Sequence, residues 1–217
     1  MATVALISQK GGTGKSTLAL ALAWEAASRG GEVLAVDADA QGTLLEALGM
    51  AAERGLCPPT VTAMGRGMHS KEQLPRLARR FRHVFIDTPG RSDDVQVSAL
   101  LTADVAIIPC GQFAGDVWAL RAAVETLKRA QTLRPKLRGA LVMSRVMPRT
   151  TLGQALRGCL GDVGLPVLRT VVTHRTAWGE SIGAGVGVAQ YAPRDRAAEE
   201  ARALASEVFS LVGRSTR

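Results

Sequence analysis

The chain has 217 residues, of which 47% are hydrophobic and 21% charged, with a formal net charge of +8 and a pI near 10.2. That is enough apolar material for one large domain with a proper core; it excludes general disorder, and no apolar run reaches the roughly 18 residues that a membrane-spanning helix needs. Cys57, Cys110 and Cys159 follow no CxxC or ligand spacing, which excludes a disulfide framework or cysteine metal cluster and predicts reduced, buried thiols in a cytoplasmic protein.

The N-terminus runs directly into Thr3-Val4-Ala5-Leu6-Ile7 with no basic leader ahead of it, so no targeting segment is expected. Val4 to Ser8 predicts a strand, a glycine-rich turn follows, and a helix is expected from Lys15 to Arg29. Strand, glycine loop and helix in that order form the setting of a phosphate-binding loop. Gly11, Gly12 and Gly14 let the backbone approach an anion without a Cβ in the way, so that Thr13 and its neighbours aim N–H groups at phosphate. Lys15 is expected on the terminal phosphates, Ser16 on Mg²⁺ and Thr17 near the first phosphate. Gln9 stands where the general GxxxxGK[ST] pattern has its first glycine, and Lys10 stands just before the glycine pair.

The second strand, Val33 to Asp37, runs into Asp37-Ala38-Asp39-Ala40-Gln41-Gly42 and a helix at Thr43 to Leu48. Carboxylates at strand C-termini lie beside the phosphate site in parallel sheets. Asp37 is expected to hold a Mg²⁺-bound water and Asp39 to orient the attacking water, although one aspartate at this place also reads as a helix cap. Glu53 to Gly67 is the least readable stretch. A helix at Lys71 to Arg80 precedes the strand Val84-Phe85-Ile86-Asp87, whose apolar run ending in aspartate is a Walker B pattern. Asp87 is expected to position Mg²⁺ through water, and Thr88-Pro89-Gly90 to sense the terminal phosphate.

Further on come a helix at Asp93 to Leu101, a strand at Val105 to Pro109, a helix at Asp116 to Arg134 and a strand at Gly139 to Ser144. A helix at Thr151 to Gly161, a strand at Val167 to Thr173, a flexible Gly183 to Gly187 and a last helix at Arg194 to Val212 complete the chain. Near-continuous apolar strands alternating with helices predict an α/β domain over residues 1–217. Its sheet should be doubly wound and mostly parallel, with helices on both faces, in the P-loop NTPase fold.

Together these residues resemble the deviant Walker A ATPases of the ParA/MinD family, and most of all its small plasmid-partition type. KGGxGK[ST] is Lys10 to Ser16, and DxDPQG is Asp37 to Gly42 with Ala40 in place of the usual proline. The Walker B segment is Phe85 to Gly90, and Leu141-Val142-Met143-Ser144-Arg145 is similar to the family's later strand, with Arg145 beside the nucleotide. The resemblance implies that Tyr191, Ala192 and Pro193 line the adenine pocket, and that Lys10 reaches across a dimer to the partner's nucleotide. It also implies ATP and Mg²⁺ as cofactors, a sandwich homodimer when ATP is bound, and hydrolysis stimulated by a ParB-like cargo adaptor; slow intrinsic turnover is expected from the switch role, since a timer must persist between states.

The same resemblance implies non-specific DNA binding, with nucleoid association in the ATP state. The basic excess agrees, since such binding needs only cationic contacts to phosphate. Arg169, Arg175, Arg194 and Arg196 are the candidates, with Arg145 and Arg149 as further members. The cargo is a plasmid, a chromosome origin or a protein assembly. The alternative is a MinD-like membrane-cycling ATPase, which needs an amphipathic C-terminal anchor. Leu204, Val208, Leu211 and Val212 have helical spacing near Arg202 and Arg214, but Glu199, Glu200 and Glu207 suit an anionic membrane poorly. That stripe reads as a core-facing helix. An iron–sulfur reductase relative would need paired cysteines, which the chain lacks.

Overall fold

Seven strands form one sheet in the order β3-β2-β4-β1-β5-β6-β7, and every pairing is parallel. The computed structural model describes residues 1–147, 160 and 163–213. The elements of the first half are β1 (Ala2–Leu6), α1 (Lys15–Ser28), β2 (Val33–Asp37), α2 (Thr43–Glu53), β3 (Thr60–Ala63), α3 (Leu74–Ala78) and β4 (His83–Asp87). They continue with α4 (Asp93–Thr102), β5 (Val105–Cys110), α5 (Ala114–Leu133), β6 (Arg138–Val146), β7 (Val167–Thr173), α6 (Thr176–Ala184), α7 (Val188–Tyr191) and α8 (Arg196–Gly213). The expected helix at Thr151 to Gly161, together with Arg149, Cys159 and Arg214, lies outside the described residues apart from Leu160.

The central strands are apolar at nearly every position because successive side chains enter different cores. Val4, Leu6, Val33, Ala35, Phe85 and Ile107 pack against α1, α2 and α8 on one face. Ala5, Ile7, Leu34, Val36, Ile86 and Ile108 pack against α3, α4 and α5 on the other. This period of two is what a sheet covered on both sides requires. Each fully buried Leu, Ile or Phe contributes about 1.5–3 kcal/mol, so the two layers dominate the stability. With few aromatics, α1 closes the first layer through small residues: Ala19, Ala21, Ala23 and Ala26 are buried between the sheet and α8.

Parallel registry then fixes the site. Leu6 and Asp37 both pair with Asp87, so β1, β2 and β4 end at one level and their following loops emerge together. β1 lies between β4 and β5, where the winding of the sheet reverses. Such a switch point, at the carboxyl ends of the strands, is where open α/β sheets hold ligands.

Several expectations are corrected. The unreadable Glu53 to Gly67 stretch holds β3, an edge strand paired with Leu34 to Asp37. Gly183 to Gly187 is packed rather than flexible: α6 runs to Ala184, and Gly185 (φ 75°) ends it with its carbonyl accepting from the Trp24 indole at 3.2 Å. Cys110 is buried, but Cys57 is exposed. Among the described residues no helix is long and apolar enough to cross a membrane. Leu204, Val208 and Val212 face the core, as their spacing suggested.

Candidate functional site

A cavity of about 640 Å³ opens over the carboxyl ends of β1, β2 and β6. Its floor is the glycine loop. Gly12 (φ 73°) and Gly14 (φ 93°) hold left-handed backbone, and Gly14 is the residue from which α1 starts. A side chain there would be strained, and a Cβ on Gly14 would sit 3.1 Å from the Ser144 hydroxyl. The loop is held from three sides. The Ser144 hydroxyl donates to the Thr13 carbonyl at 3.0 Å, and the Arg145 guanidinium donates to the Gly12 carbonyl. The fully buried Gln96 amide donates to the Ser8 carbonyl at 3.0 Å and the Pro89 carbonyl at 2.7 Å. Gln96 thereby ties the glycine loop to the loop after β4.

Gln9 has a structural task in place of the missing glycine. Its amide meets Asp93 and Gln96 of α4 and Thr126 of α5, bracing the loop against the helices beneath.

Lys15, Ser16, Thr17 and Asp39 line the cavity. Lys15 is buried and donates to the Lys10 carbonyl at 3.5 Å. Burial lowers its pKa, and the nearby Asp87 and Asp39 charges only partly oppose that. Asp87 is fully buried, and neither carboxylate oxygen has a hydrogen-bond partner. Burial pushes its pKa up to about 7; Ser16 offsets part of this by approaching the carboxylate without completing a well-formed hydrogen bond, and Asp37 adds to the rise. A buried carboxylate without partners is costly unless something cationic completes it.

Asp37 is differently placed. Its oxygens accept from the backbone N–H groups of Asp39 at 3.0 Å and Leu45 at 2.9 Å. It therefore caps the entry to α2, the alternative that its position allowed. Asp39 sits past the end of β2, accepts from the Gln41 N–H at 3.1 Å and reaches the cavity wall.

Lys10 does not line this cavity. Its ammonium lies 2.6 Å from Asp116 of α5, in a second hollow of about 290 Å³ shared with Gly12, Phe113, Arg145 and Met147. Arg145 borders both spaces and is the only described non-glycine residue with positive φ, at 56°.

The profile of the CobQ/CobB/MinD/ParA nucleotide binding domain matches residues 4–188. The chain belongs to that family. Two relatives align over nearly their whole length. The maintenance of carboxysome distribution protein A of Halothiobacillus neapolitanus is 29% identical over 95% of this chain and 96% of its own. The chromosome-partitioning ATPase Soj of Thermus thermophilus is 30% identical over 96% of both. In fold, the chain is similar to the septum site-determining protein MinD of Pyrococcus horikoshii, a Mg-ADP complex, with a TM-score of 0.73 at 20% identity covering 99% and 98% of the two chains.

Within the ParA/MinD frame some expected site residues do not converge. Tyr191, Ala192 and Pro193 are absent from the cavity wall: Tyr191 is exposed, Ala192 packs against the core, and the Pro193 carbonyl accepts from Arg202. Val172 to Thr176, Trp178, Gly179 and Ile182 form that end of the cavity instead. The cause is topological, since the segment after β7 reaches the cavity wall whereas α7 docks on α8. Arg175 is a second correction. It lines the cavity and pairs with Glu200 at 3.4 Å, so it is engaged at the cavity wall. Arg169, Arg194 and Arg196 are exposed. Asp116 and Gln96 were missed; for Asp116 the available signal was an acidic residue in the first turn of a helix.

Proposed function

We propose that this chain is a ParA-type ATPase in which Mg²⁺-ATP bound over the glycine loop makes a sandwich dimer that binds DNA without sequence preference and positions a cargo. The observation that carries this reading is the division of the two lysines. Lys15 serves the large cavity, while Lys10, from the same loop, is turned out into a separate hollow. A cation placed so is suited to a phosphate presented by a second copy, where it would neutralise charge developing during hydrolysis. Phe113 and Met147 on the rim of that hollow, and Trp118 in α5, which starts just after Phe113, are exposed apolar side chains of the kind that a partner copy covers.

Asp87 supports a divalent cation. Its unpartnered buried oxygens, with Ser16 beside them, would hold a hydrated Mg²⁺. Asp37 keeps lone pairs for the same water shell. When bound, Mg²⁺ supplies charge neutralisation at the phosphates. Asp39 lines the cavity wall and would orient an attacking water. Arg169, Arg194 and Arg196 then supply phosphate contacts to duplex DNA, and a ParB-like adaptor stimulates hydrolysis and release.

The test is a salt titration of binding to random duplex with ATP, ADP or no nucleotide. The reading expects binding that requires ATP and falls steeply with salt. ATP-dependent sedimentation with anionic liposomes and no DNA binding would replace it by the membrane-cycling alternative, which the burial of the α8 apolar stripe disfavours.

A further inference from the structure

Glu200 and Glu207 lie two turns apart on α8, and both carboxylates turn to β7, the edge strand of the sheet. Glu207 accepts from the Arg169 and Thr170 N–H groups, each at 2.8 Å, and from the Thr170 hydroxyl. Glu200 repeats the pattern further along, accepting from the Thr173 N–H at 3.0 Å and the Thr173 hydroxyl at 2.6 Å. The two side chains thus engage backbone donors along an edge that would otherwise invite pairing.

Glu200 does more than its neighbour. It also accepts from Arg175 Nε and from the Trp178 indole N–H, both at 3.4 Å. Thr173, Arg175 and Trp178 all line the large cavity, at the end built by β7 and α6 rather than by the glycine loop, while Glu200 itself does not. One carboxylate on the C-terminal helix therefore sets the path of the wall segment that closes that end. The glycine loop is held by other residues, Gln96, Ser144 and Arg145.

We propose that Glu200 is a positioning residue for the nucleoside half of the bound nucleotide, so that the placement of α8 governs base and ribose affinity separately from phosphate affinity. The inference rests on the nucleotide reading of this cavity. Glu200→Gln is the sharp variant because it removes the charge and one acceptor oxygen from a cluster in which the Thr173 N–H, Arg175 Nε and the Trp178 indole can only donate. Glu207→Gln makes the same chemical change on the same helix, against a part of β7 outside the cavity wall.

The experiment compares the dissociation constants of Mg-ADP and Mg-pyrophosphate for wild type and both variants. E200Q is expected to weaken ADP roughly tenfold while leaving pyrophosphate within about twofold. E207Q is expected to lower the melting temperature and leave both affinities unchanged. Should E200Q not yield folded protein, Glu200→Asp, which keeps the charge but shortens the reach, is expected to give the same pattern. Equal loss of ADP and pyrophosphate binding, or an ADP affinity untouched by E200Q in a protein whose wild type binds ADP, overturns the proposal alone. Wild type that binds neither ligand overturns the nucleotide reading and this inference with it.

Discussion

The Lys10 ammonium and the Asp116 carboxylate form an ion pair at 2.6 Å between the glycine loop and the first turn of α5. The Lys10 side chain is 44% exposed and that of Asp116 only 9%. The acid is fixed, because one of its oxygens also accepts from the Phe113 N–H at 3.0 Å, whereas the lysine is free to swing into solvent. Because the lysine end is open to solvent and screened, the pair is worth on the order of 1 kcal/mol. The contact is thus a weak tether on a lysine that the proposed dimer needs elsewhere.

Asp116→Asn keeps the cap but removes the charge. It is expected to let the dimer form at about two- to fivefold lower ATP concentration, read by light scattering. Lys10→Ala is expected to do the reverse, impairing dimerisation and turnover more than ATP affinity. An ATP affinity that falls as far as the dimerisation does would return Lys10 to its own subunit's site.

Lys15 and Asp39 separate binding from turnover. Lys15→Ala removes a buried cation from beside the phosphates and is expected to weaken ATP by at least about thirtyfold, on the order of 2 kcal/mol or more. Asp39→Ala is expected to retain ATP binding, measured by calorimetry, while phosphate release stops. Normal phosphate release in that variant would take Asp39 out of the mechanism.

Asp87 makes nucleotide-free stability depend on pH. Its folded pKa is raised to about 7 from the ordinary 3.8, so the folded protein holds a proton that the unfolded chain has lost. The stabilising effect of that proton is full below the unfolded value and is lost as pH rises from about 4 through about 7. Asp87→Asn is therefore expected to raise the melting temperature of the nucleotide-free protein at pH 8, by much more than at pH 4. The same variant should lose the Mg²⁺ dependence of its nucleotide affinity. An equal effect on melting at both pH values would contradict the assignment.

Gly90 tests the coupling of the two loops. A Cβ there would lie 2.9 Å from the Gly11 nitrogen and 3.0 Å from the Lys10 carbonyl carbon, both backbone atoms that cannot rotate away. Gly90→Ala is expected to cost about 1–3 kcal/mol in denaturant melts and to weaken ATP by displacing the glycine loop. Unchanged ATP affinity would show that the loop after β4 does not set the glycine loop's position.

What the chain makes legible in one dimension is local. The glycine loop, β2 and the terminal Asp87 of β4 stand out because strand, turn and helix chemistry all change within a few residues. β3 was hidden because an edge strand need not be apolar; Thr60 and Ala63 are exposed, and only Thr-Val-Thr hinted at extended backbone. The pairs Lys10–Asp116 and Arg175–Glu200 join residues far apart in the chain, and no periodicity reports which helix turn meets which loop. The same holds for Tyr191 to Pro193, whose position shortly before the last helix says nothing of the face on which α7 docks.

The central claim is that ATP over this glycine loop joins two copies of the chain. The most direct measurement is the solution mass of the Asp39→Ala protein by light scattering, with Mg-ATP and with Mg-ADP. The account predicts a dimer with ATP and a monomer with ADP, the dimer being lost when Lys10→Ala is added. A mass that is the same with either nucleotide would contradict it.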